Sequence, residues 1–315
     1  MARRRKGRPV SGWVALDKPE GFGSTQAVGR VRRAFDAQKA GHAGTLDPLA
    51  TGVLPIALGE ATKTVSFLMD ADKAYRFTLA WGTSTASFDR DGAVTATSDV
   101  RPPAEAVTVA LSAFVGEILQ VPPAFSAVKV DGERAYDLAR AGIAVELAPR
   151  GVVIHSAGVI GSPDADHVEI EIACGKGVYV RSLARDLALA LGACGHVTAL
   201  RRTRVGPFVA QNAVALETLE DLCDRGAGLE VLTPVETALD DIPALAVTNE
   251  DAFRLSQGRP IVLLPRQVET LKARLLSPDG EGFASRTVLA MGSSGPAAIC
   301  EMRAGQLRPV RVFNL

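Results

Sequence analysis

The sequence predicts an α+β protein with a central mixed, largely antiparallel sheet flanked by helices and loops, followed by a small β-rich unit. Three observations predict it. Strand-like runs such as Tyr75-Arg-Phe-Thr-Leu-Ala-Trp81 alternate irregularly with helical periodicity, without regular βαβ repeats. Proline and glycine punctuate the chain at short intervals, as at Asp17-Lys-Pro-Glu-Gly21, Arg101-Pro-Pro103 and Pro122-Pro123. With 315 residues and 47% hydrophobic content, the chain has material for a sizeable core and for two domains, or one with an appendage.

Taken in order, Gly12 to Leu16 reads as a short strand, after which Ser24 or Thr25 caps a helix running to about Phe35. Val28, Val31 and Phe35 share one face of that helix, and Arg30, Arg32 and Arg33 lie largely on another. Residues 53–58 form a buried strand, 60–69 a helix, 75–81 a strand, 82–92 a polar loop and 104–113 a helix. Segments 115–121 and 126–130 are extended, 133–141 is a short helix, and 152–160 and 167–174 are strands. A helix opens within Lys176 to Arg181 and continues to about Leu191, before a strand at 196–205. Asp240-Asp-Ile-Pro243 marks a boundary. Beyond it come a short helix at about 249–257 and strand-like segments ending at 305–315. The expected division is a basic tail (1–9), a main domain (10–242) and a small domain (243–315).

No uninterrupted apolar run approaches the roughly 18–20 residues that a membrane span needs, and no apolar leader core follows the basic start. Cys174, Cys194, Cys223 and Cys300 are far apart with no paired spacing, which favours reduced thiols in a cytoplasm over a disulfide frame. His42, His155, His167 and His196 lack metal-ligand spacing, so neither a structural nor a catalytic metal is expected. Thirty-five Lys and Arg balance 35 Asp and Glu, but unevenly. Residues 1–50 hold ten basic against four acidic side chains, residues 251–315 nine against five, and the stretch between sixteen against twenty-six. A fold that brought the two ends to one face would have a side suited to nucleic acid despite the neutral total. Arg3, Arg4, Arg5, Lys6 and Arg8 serve that purpose or solubility alone.

The most informative segment is Gly41-His-Ala-Gly-Thr-Leu-Asp-Pro-Leu-Ala-Thr-Gly52, which sets one carboxylate, Asp47, among glycines and small residues with an apolar strand behind it. Gly41, Gly44 and Gly52 permit close backbone approach, while Pro48 biases Asp47 itself toward extended geometry. Taken alone, a lone Asp-Pro is more often a surface turn. The rest of the chain decides otherwise.

Collinear motifs run from Gly12-Trp-Val-Ala-Leu-Asp-Lys-Pro19 through Lys39-Ala-Gly-His-Ala-Gly-Thr-Leu-Asp47 and Leu58-Gly-Glu-Ala-Thr-Lys63. They continue with Lys73-Ala-Tyr75, Gln120-Val-Pro-Pro123, Ser126-Ala-Val-Lys129, Lys176-Gly-Val-Tyr-Val-Arg181 and Leu200-Arg-Arg202. In order and spacing, over roughly residues 11–205, the chain resembles the bacterial TruB-type tRNA pseudouridine-55 synthases. The resemblance implies the pseudouridine-synthase fold, an enzyme that needs no cofactor, and tRNA, through its T-arm, as partner. It also implies a PUA-like RNA-binding domain at 243–315, on a weaker match. A monomer without an obligatory protein partner is the expectation.

Pseudouridine formation breaks the N1–C1′ bond, turns the uracil and rejoins it through C5. It therefore needs a group for the glycosidic bond, a pocket for a base taken from its stack, and grip on the RNA. By resemblance Asp47 is the catalytic aspartate, acting as nucleophile at C1′ or on the ring, or alternatively by deprotonation at C2′ through a glycal. Arg181 matches the arginine that pairs with it, keeping ionised a carboxylate whose pKa desolvation would raise. Tyr75 and Tyr179 match tyrosines of the uridine pocket. Stacking on Tyr75 would contribute roughly 1–3 kcal/mol, and its hydroxyl would also move the C5 proton. His42 corresponds to a T-loop contact, Leu200 to an apolar pocket wall, Lys18 (with Pro19) to a brace of the catalytic loop, and Lys129 to an assisting group near the site.

One stretch departs from the pattern. Where the family has Thr-Asp-Thr-x-Asp, this chain reads Thr85-Ala-Ser-Phe-Asp89, keeping the last acid in register. Asp89 and Asp91 lack the remaining ligands of a calcium loop, and Gly59-Glu-Ala-Thr-Lys-Thr64 lacks the first glycine of a P-loop. Competing readings are a guide-RNA-dependent synthase, a tRNA-folding chaperone, and a hydrolase that would need a second acid.

Overall fold

Ten strands share one sheet, because the chain repeatedly presents apolar residues between turn-forming segments, as unbroken runs in the central strands and in alternation in others such as β11. The computed structural model describes residues 7–126, 128–130, 132–276 and 285–315; Arg3, Arg4, Arg5 and Lys6 lie outside the described residues. The first part comprises β1 (Gly12–Lys18), α1 (Ser24–Ala34), β2 (Ala40–His42), β3 (Thr51–Leu58), α2 (Val65–Asp70), β4 (Lys73–Trp81), β5 (Thr83–Thr85) and β6 (Val94–Thr97). Next come α3 (Ala104–Ser112), β7 (Gly116–Gln120), β8 (Lys129–Val130), β9 (Glu133–Arg134), α4 (Ala135–Arg140), β10 (Arg150–Asp164) and β11 (His167–Cys174). Then follow α5 (Val180–Ala190), β12 (Gly195–Val205), β13 (Phe208–Val209), β14 (Val214–Ala215) and α6 (Leu216–Asp224). The C-terminal part holds β15 (Ala244–Ala246), α7 (Asn249–Ser256), β16 (Ile261–Val262), α8 (Pro265–Leu275), β17 (Thr287–Gly292), β18 (Gly295–Arg303) and β19 (Gln306–Val312).

The large sheet runs β14-β1-β3-β12-β4-β11-β10-β7, with β2 on β3 and β13 on β12. Most of its pairings are antiparallel; β1 with β14 and β3 with β12 are parallel. Its central strands are buried on both faces. Val14 and Leu16 of β1, with Leu54, Ile56 and Leu58 of β3, join α1, α3, α5 and α6 in one core. Trp13, Ala15, Val53 and Ala57 point the other way, into a second cluster that includes Leu289, Ile299 and Phe313. Double burial explains why these strands read as continuous apolar runs. The five C-terminal strands form a separate sheet, β15-β17-β18-β19-β16, whose own core includes Leu255, Leu271, Val288 and Leu307. That sheet is tied to the 3₁₀ turn Gly59–Lys63: Lys63 Nζ donates to the Val312 carbonyl at 2.7 Å, and the Asn314 N–H to Glu60 Oε2 at 2.7 Å. Among the described residues no helix is long and apolar enough to cross a membrane.

Several local expectations are corrected. Gly23, not Ser24 or Thr25, caps α1, because the Ser24 hydroxyl is engaged by the main chain of Leu46. The expected helix at 60–69 is split into the 3₁₀ turn and α2. There Thr62 and Thr64 hydroxyls donate to the carbonyls three residues back, competing with helix continuation. Helix α5 begins at Val180, inside the stretch expected to open it; the preceding loop, with Gly177 at φ +86°, lines the cavity described below. The expected loop at 82–92 contains β5, paired with β6. Helix α8 replaces an expected strand-like stretch: Pro265 starts it, and Gln267 Oε1 accepts the Leu264 N–H at 2.9 Å.

The fold's contribution to the site is one register row. Gly52 of β3 pairs with Arg202 of β12, Arg202 with Tyr75 of β4, and Tyr75 with Ile172 of β11. Gly52 sits at φ +97°, and a Cβ there would overlap the Arg202 carbonyl oxygen. Gly52→Ala is expected to cost about 1–3 kcal/mol of stability, from the left-handed φ and the displaced strand contact, measurable by denaturant titration.

Candidate active site

Asp47 is presented by a loop held from several sides. Leu46, Leu49 and Ala50 sink their apolar side chains into the core. Ser24 Oγ donates to the Leu46 carbonyl at 2.9 Å and accepts the Leu46 N–H at 2.8 Å, fastening the loop to α1. Lys18 Nζ, fully buried at the end of β1, donates to the carbonyls of Pro19, Phe22 and Pro48. Arg202 donates to those of Gly44, Thr45 and Val53. With its neighbours anchored, the Asp47 side chain projects into a cavity of about 280 Å³.

Opposite stands Arg181, in the first turn of α5 and only 4% exposed. A cation there runs against the helix dipole, a local cost accepted to aim the group. Its Nε lies 2.9 Å from Asp47 Oδ2 and its Nη1 3.3 Å from Asp89 Oδ2. The carbonyls of Ser87 and Phe125 accept from Nη1 and Nη2 at 2.9 and 2.8 Å. Desolvation raises the Asp47 pKa above the ordinary carboxylate value; Arg181 opposes that rise, Asp89 adds to it, and Lys18 opposes it further.

The departing stretch Thr85 to Asp89 supplies part of this arrangement. Phe88 adopts a left-handed φ of +61°, and its ring lies under the Arg185 guanidinium, 4.9 Å away. The turn brings the Ser87 carbonyl and the Asp89 carboxylate to the same arginine. Ser87 Oγ donates to Asp89 Oδ1 at 2.5 Å, orienting that carboxylate.

Of the residues expected at the site, Asp47, Tyr75, Tyr179, Arg181 and Leu200 all line the cavity. Gln120 fixes Tyr179 from behind: its Oε1 accepts the Tyr179 N–H at 2.8 Å and its Nε2 donates to the Tyr179 carbonyl at 3.2 Å. Lys18 is not in the wall but beneath the loop, its pKa lowered to about 8, chiefly by burial. His42 lies on β2 beside β3, outside the wall, with Nδ1 buried and lacking a partner among the described residues. Burial, and then Arg202, lower its pKa. Lys129 is the misplaced expectation: it is exposed on the β8–β9 hairpin and absent from the lining, because proximity in sequence to buried Ser126 does not fix the direction of a hairpin side chain.

Two charged wall residues were missed, Lys73 and Arg202. The signal was present, since Lys73 and Tyr75 are two apart on one strand, as are Leu200 and Arg202, and residues two apart share a strand face. Among the described residues no group of three or more His, Cys, Asp or Glu could hold a metal ion.

Comparison with known proteins gives a consistent picture. The chain matches the model of the TruB family pseudouridylate synthase N-terminal domain over residues 32–180 and that of the tRNA pseudouridylate synthase B C-terminal domain over residues 181–240. It is 67% identical to a protein of Caulobacter vibrioides and 66% identical to one of another Caulobacter species, each named tRNA pseudouridine synthase B, with 100% of both chains covered. Among solved structures it resembles a chain of a Cbf5-Nop10-Gar1 complex, at a TM-score of 0.70 and 25% identity, covering 96% of this chain and 84% of that one. A chain of the archaeal box H/ACA sRNP Nop10-Cbf5 complex shares the fold at 22% identity and a TM-score of 0.70, with 100% and 93% covered.

Titration of the Asp47 carboxyl by ¹³C NMR checks the electrostatics. Asp89→Asn, by removing a like charge, is expected to lower the Asp47 pKa, and Arg181→Met, by removing the opposing cation, to raise it. Any pH profile governed by ionised Asp47 then loses its acid limb at lower pH in the first variant and at higher pH in the second.

Proposed function

The chain belongs to the TruB family of pseudouridylate synthases and isomerises uridine in tRNA to pseudouridine, and we propose that its target is uridine 55 of the T-loop, with Asp47 as the nucleophile. The observation that carries the assignment of Asp47 is its carboxylate, 2.9 Å from buried Arg181, in a cavity also lined by Tyr75, Tyr179 and Leu200. A flipped uracil enters between an aromatic face and an apolar wall, and stacking on Tyr75 offsets part of the cost of extrusion.

Asp47 attacks C1′ or the ring while Arg181 keeps it ionised. The N1–C1′ electron pair leaves with the base, the uracil turns, and C5 bonds to C1′; the Asp47 carboxylate departs with its bonding pair, from C1′ as the C5 bond forms or, on the ring route, from the ring afterwards. The Tyr75 hydroxyl then handles the C5 proton. On the glycal route Asp47 instead takes the C2′ proton, which deuterium at C2′ would report as a primary isotope effect.

The enzyme reads the T-loop by its shape and splayed bases, as proteins generally recognise folded single-stranded RNA. His42 contacts that loop, and the C-terminal sheet serves as a PUA-like RNA-binding domain. The reading takes the protein as a cytoplasmic monomer that needs neither guide RNA nor cofactor, with Lys18 as a brace of the loop.

Tritium release from a 5-³H-uridine-labelled T-arm transcript tests this directly. Purified protein alone is expected to release tritium, and Asp47→Asn to lose more than about 1,000-fold in rate while still binding RNA. Release only after adding guide RNA, or undiminished release by Asp47→Asn, would overturn the reading. Tyr75→Phe is expected to bind RNA normally and to stall after glycosidic cleavage; unchanged kinetics would reduce Tyr75 to a stacking surface.

A further inference from the structure

Arg202 is a buried cation with no carboxylate partner among the described residues. It is 1% exposed, and its side-chain donors go to main-chain carbonyls: Nε to Val53 at 2.8 Å, Nη2 to Gly44 at 3.0 Å and Nη1 to Thr45 at 3.4 Å. Buried charges in proteins are ordinarily matched by an opposite charge. Among the described residues, the ionisable oxygen that faces this one belongs to Tyr75, its cross-strand neighbour, with which it interacts in the cavity wall. The other groups around the pair are Lys73, Cys174 and Asp47 beside Tyr75, and Lys18, Lys73 and His42 beside Arg202.

We propose that Arg202 is a positioning residue for the proton-transfer half of the reaction: it holds the Tyr75 oxygen where C5 loses its proton and pairs with the phenolate form that accepts it. The inference rests on the preceding reading of the cavity as the uridine site. Once C5 has bonded to C1′, that carbon still carries its hydrogen, and N1 carries none. The Tyr75 phenolate takes the C5 proton. The C5–H pair restores the C5–C6 double bond, the former N1–C6 π pair moves onto N1, and N1 takes a proton from water. The phenol then returns its proton to the hydroxide so formed, which closes the balance.

Two observations beyond the pairing support this. Burial raises the Tyr75 pKa, Cys174 and Asp47 push it the same way, and Arg202 is the group that opposes them. The same guanidinium also grips Gly44 and Thr45 of the loop bearing Asp47, so one side chain ties the nucleophile's loop to the strand carrying Tyr75.

The experiment compares wild type, Arg202→Lys and Arg202→Met in single turnovers on a T-arm transcript carrying protium or deuterium at uridine C5. Thermal melting and RNA binding serve as controls. Arg202→Met is expected to bind RNA within about threefold of wild type and to lose about 100-fold in rate, in the range typical of proton-transfer groups, with a primary C5 isotope effect larger than in wild type. Arg202→Lys, which keeps the charge, is expected to retain more of the rate. Should Arg202→Met fail to fold, 3,5-difluorotyrosine at position 75 in the Arg202→Lys background provides the second measurement. A more acidic phenol is expected to restore the C5 step, and no restoration would overturn the proposal. A folded Arg202→Met that is slow without any increase in the C5 isotope effect, or as fast as wild type, would also overturn it. Inactive wild-type protein would sink the functional reading itself, an outcome distinct from these.

Discussion

The site depends on one buried guanidinium. Arg181 touches Asp47 and Asp89 with its nitrogens and takes the carbonyls of Ser87 and Phe125 with the same fork. Four stretches of chain, the loop bearing Asp47, the turn after β5, the segment before β8 and helix α5, therefore meet at a single side chain. A lysine could not hold them, because a compact ammonium lacks the planar fork that reaches several acceptors in fixed directions. The two carboxylates pull on the arrangement in opposite senses. Asp89 helps fix Arg181, yet its charge makes ionised Asp47 harder to maintain, and desolvation does so more strongly. Arg181 opposes the rise in the Asp47 pKa: a carboxylate held too firmly by its counter-ion is a poor nucleophile, and one left alone in a dry cavity is protonated.

More positive charge surrounds the same cavity. Lys18, Lys73 and Arg202 are all buried near the cavity, and burial pushes the pKa of each down. Lys18 and Lys73 donate to main-chain carbonyls, as Arg202 does, so the charges are hydrogen-bonded more than they are paired. Burying these cations is costly, and their charge is well matched to a reaction that sends electron density onto a uracil ring.

Much of this was legible in the sequence. Asp47 and Arg181 lie far apart in the chain, and only motifs of fixed composition, each tied to a role, allowed them to be set face to face. The central strands could be read because burial on both faces makes them uninterrupted apolar runs. Direction and local competition were harder. Lys129 belongs to a motif, but a two-residue strand on a hairpin gives no apolar pattern by which to tell inside from outside. The break at Thr64 depends on threonine hydroxyls choosing carbonyls three residues back, and propensity across the whole segment still favours a helix. Arg202 went unnoticed as a wall residue because an arginine in a strand is ordinarily a solvated one. Its burial follows from the register of β12 between β3 and β4, which is a property of the assembled sheet.

The neutral total charge acquires meaning from the fold. Ser11, just after the basic start, accepts the Glu60 N–H with its hydroxyl, and Asn314, at the basic end, donates to the Glu60 carboxylate. Residues more than 300 positions apart in the chain thus converge on one 3₁₀ turn, which follows the strand leading out of the loop bearing Asp47. A fold that gathered basic residues of the two ends on one face would supply phosphate contacts without raising the net charge. A uniformly basic protein of this size would hold any nucleic acid by counterion release alone. With equal numbers of acidic and basic side chains, this chain lacks that general attraction, and selectivity then has to come from local shape and contacts more than from net charge.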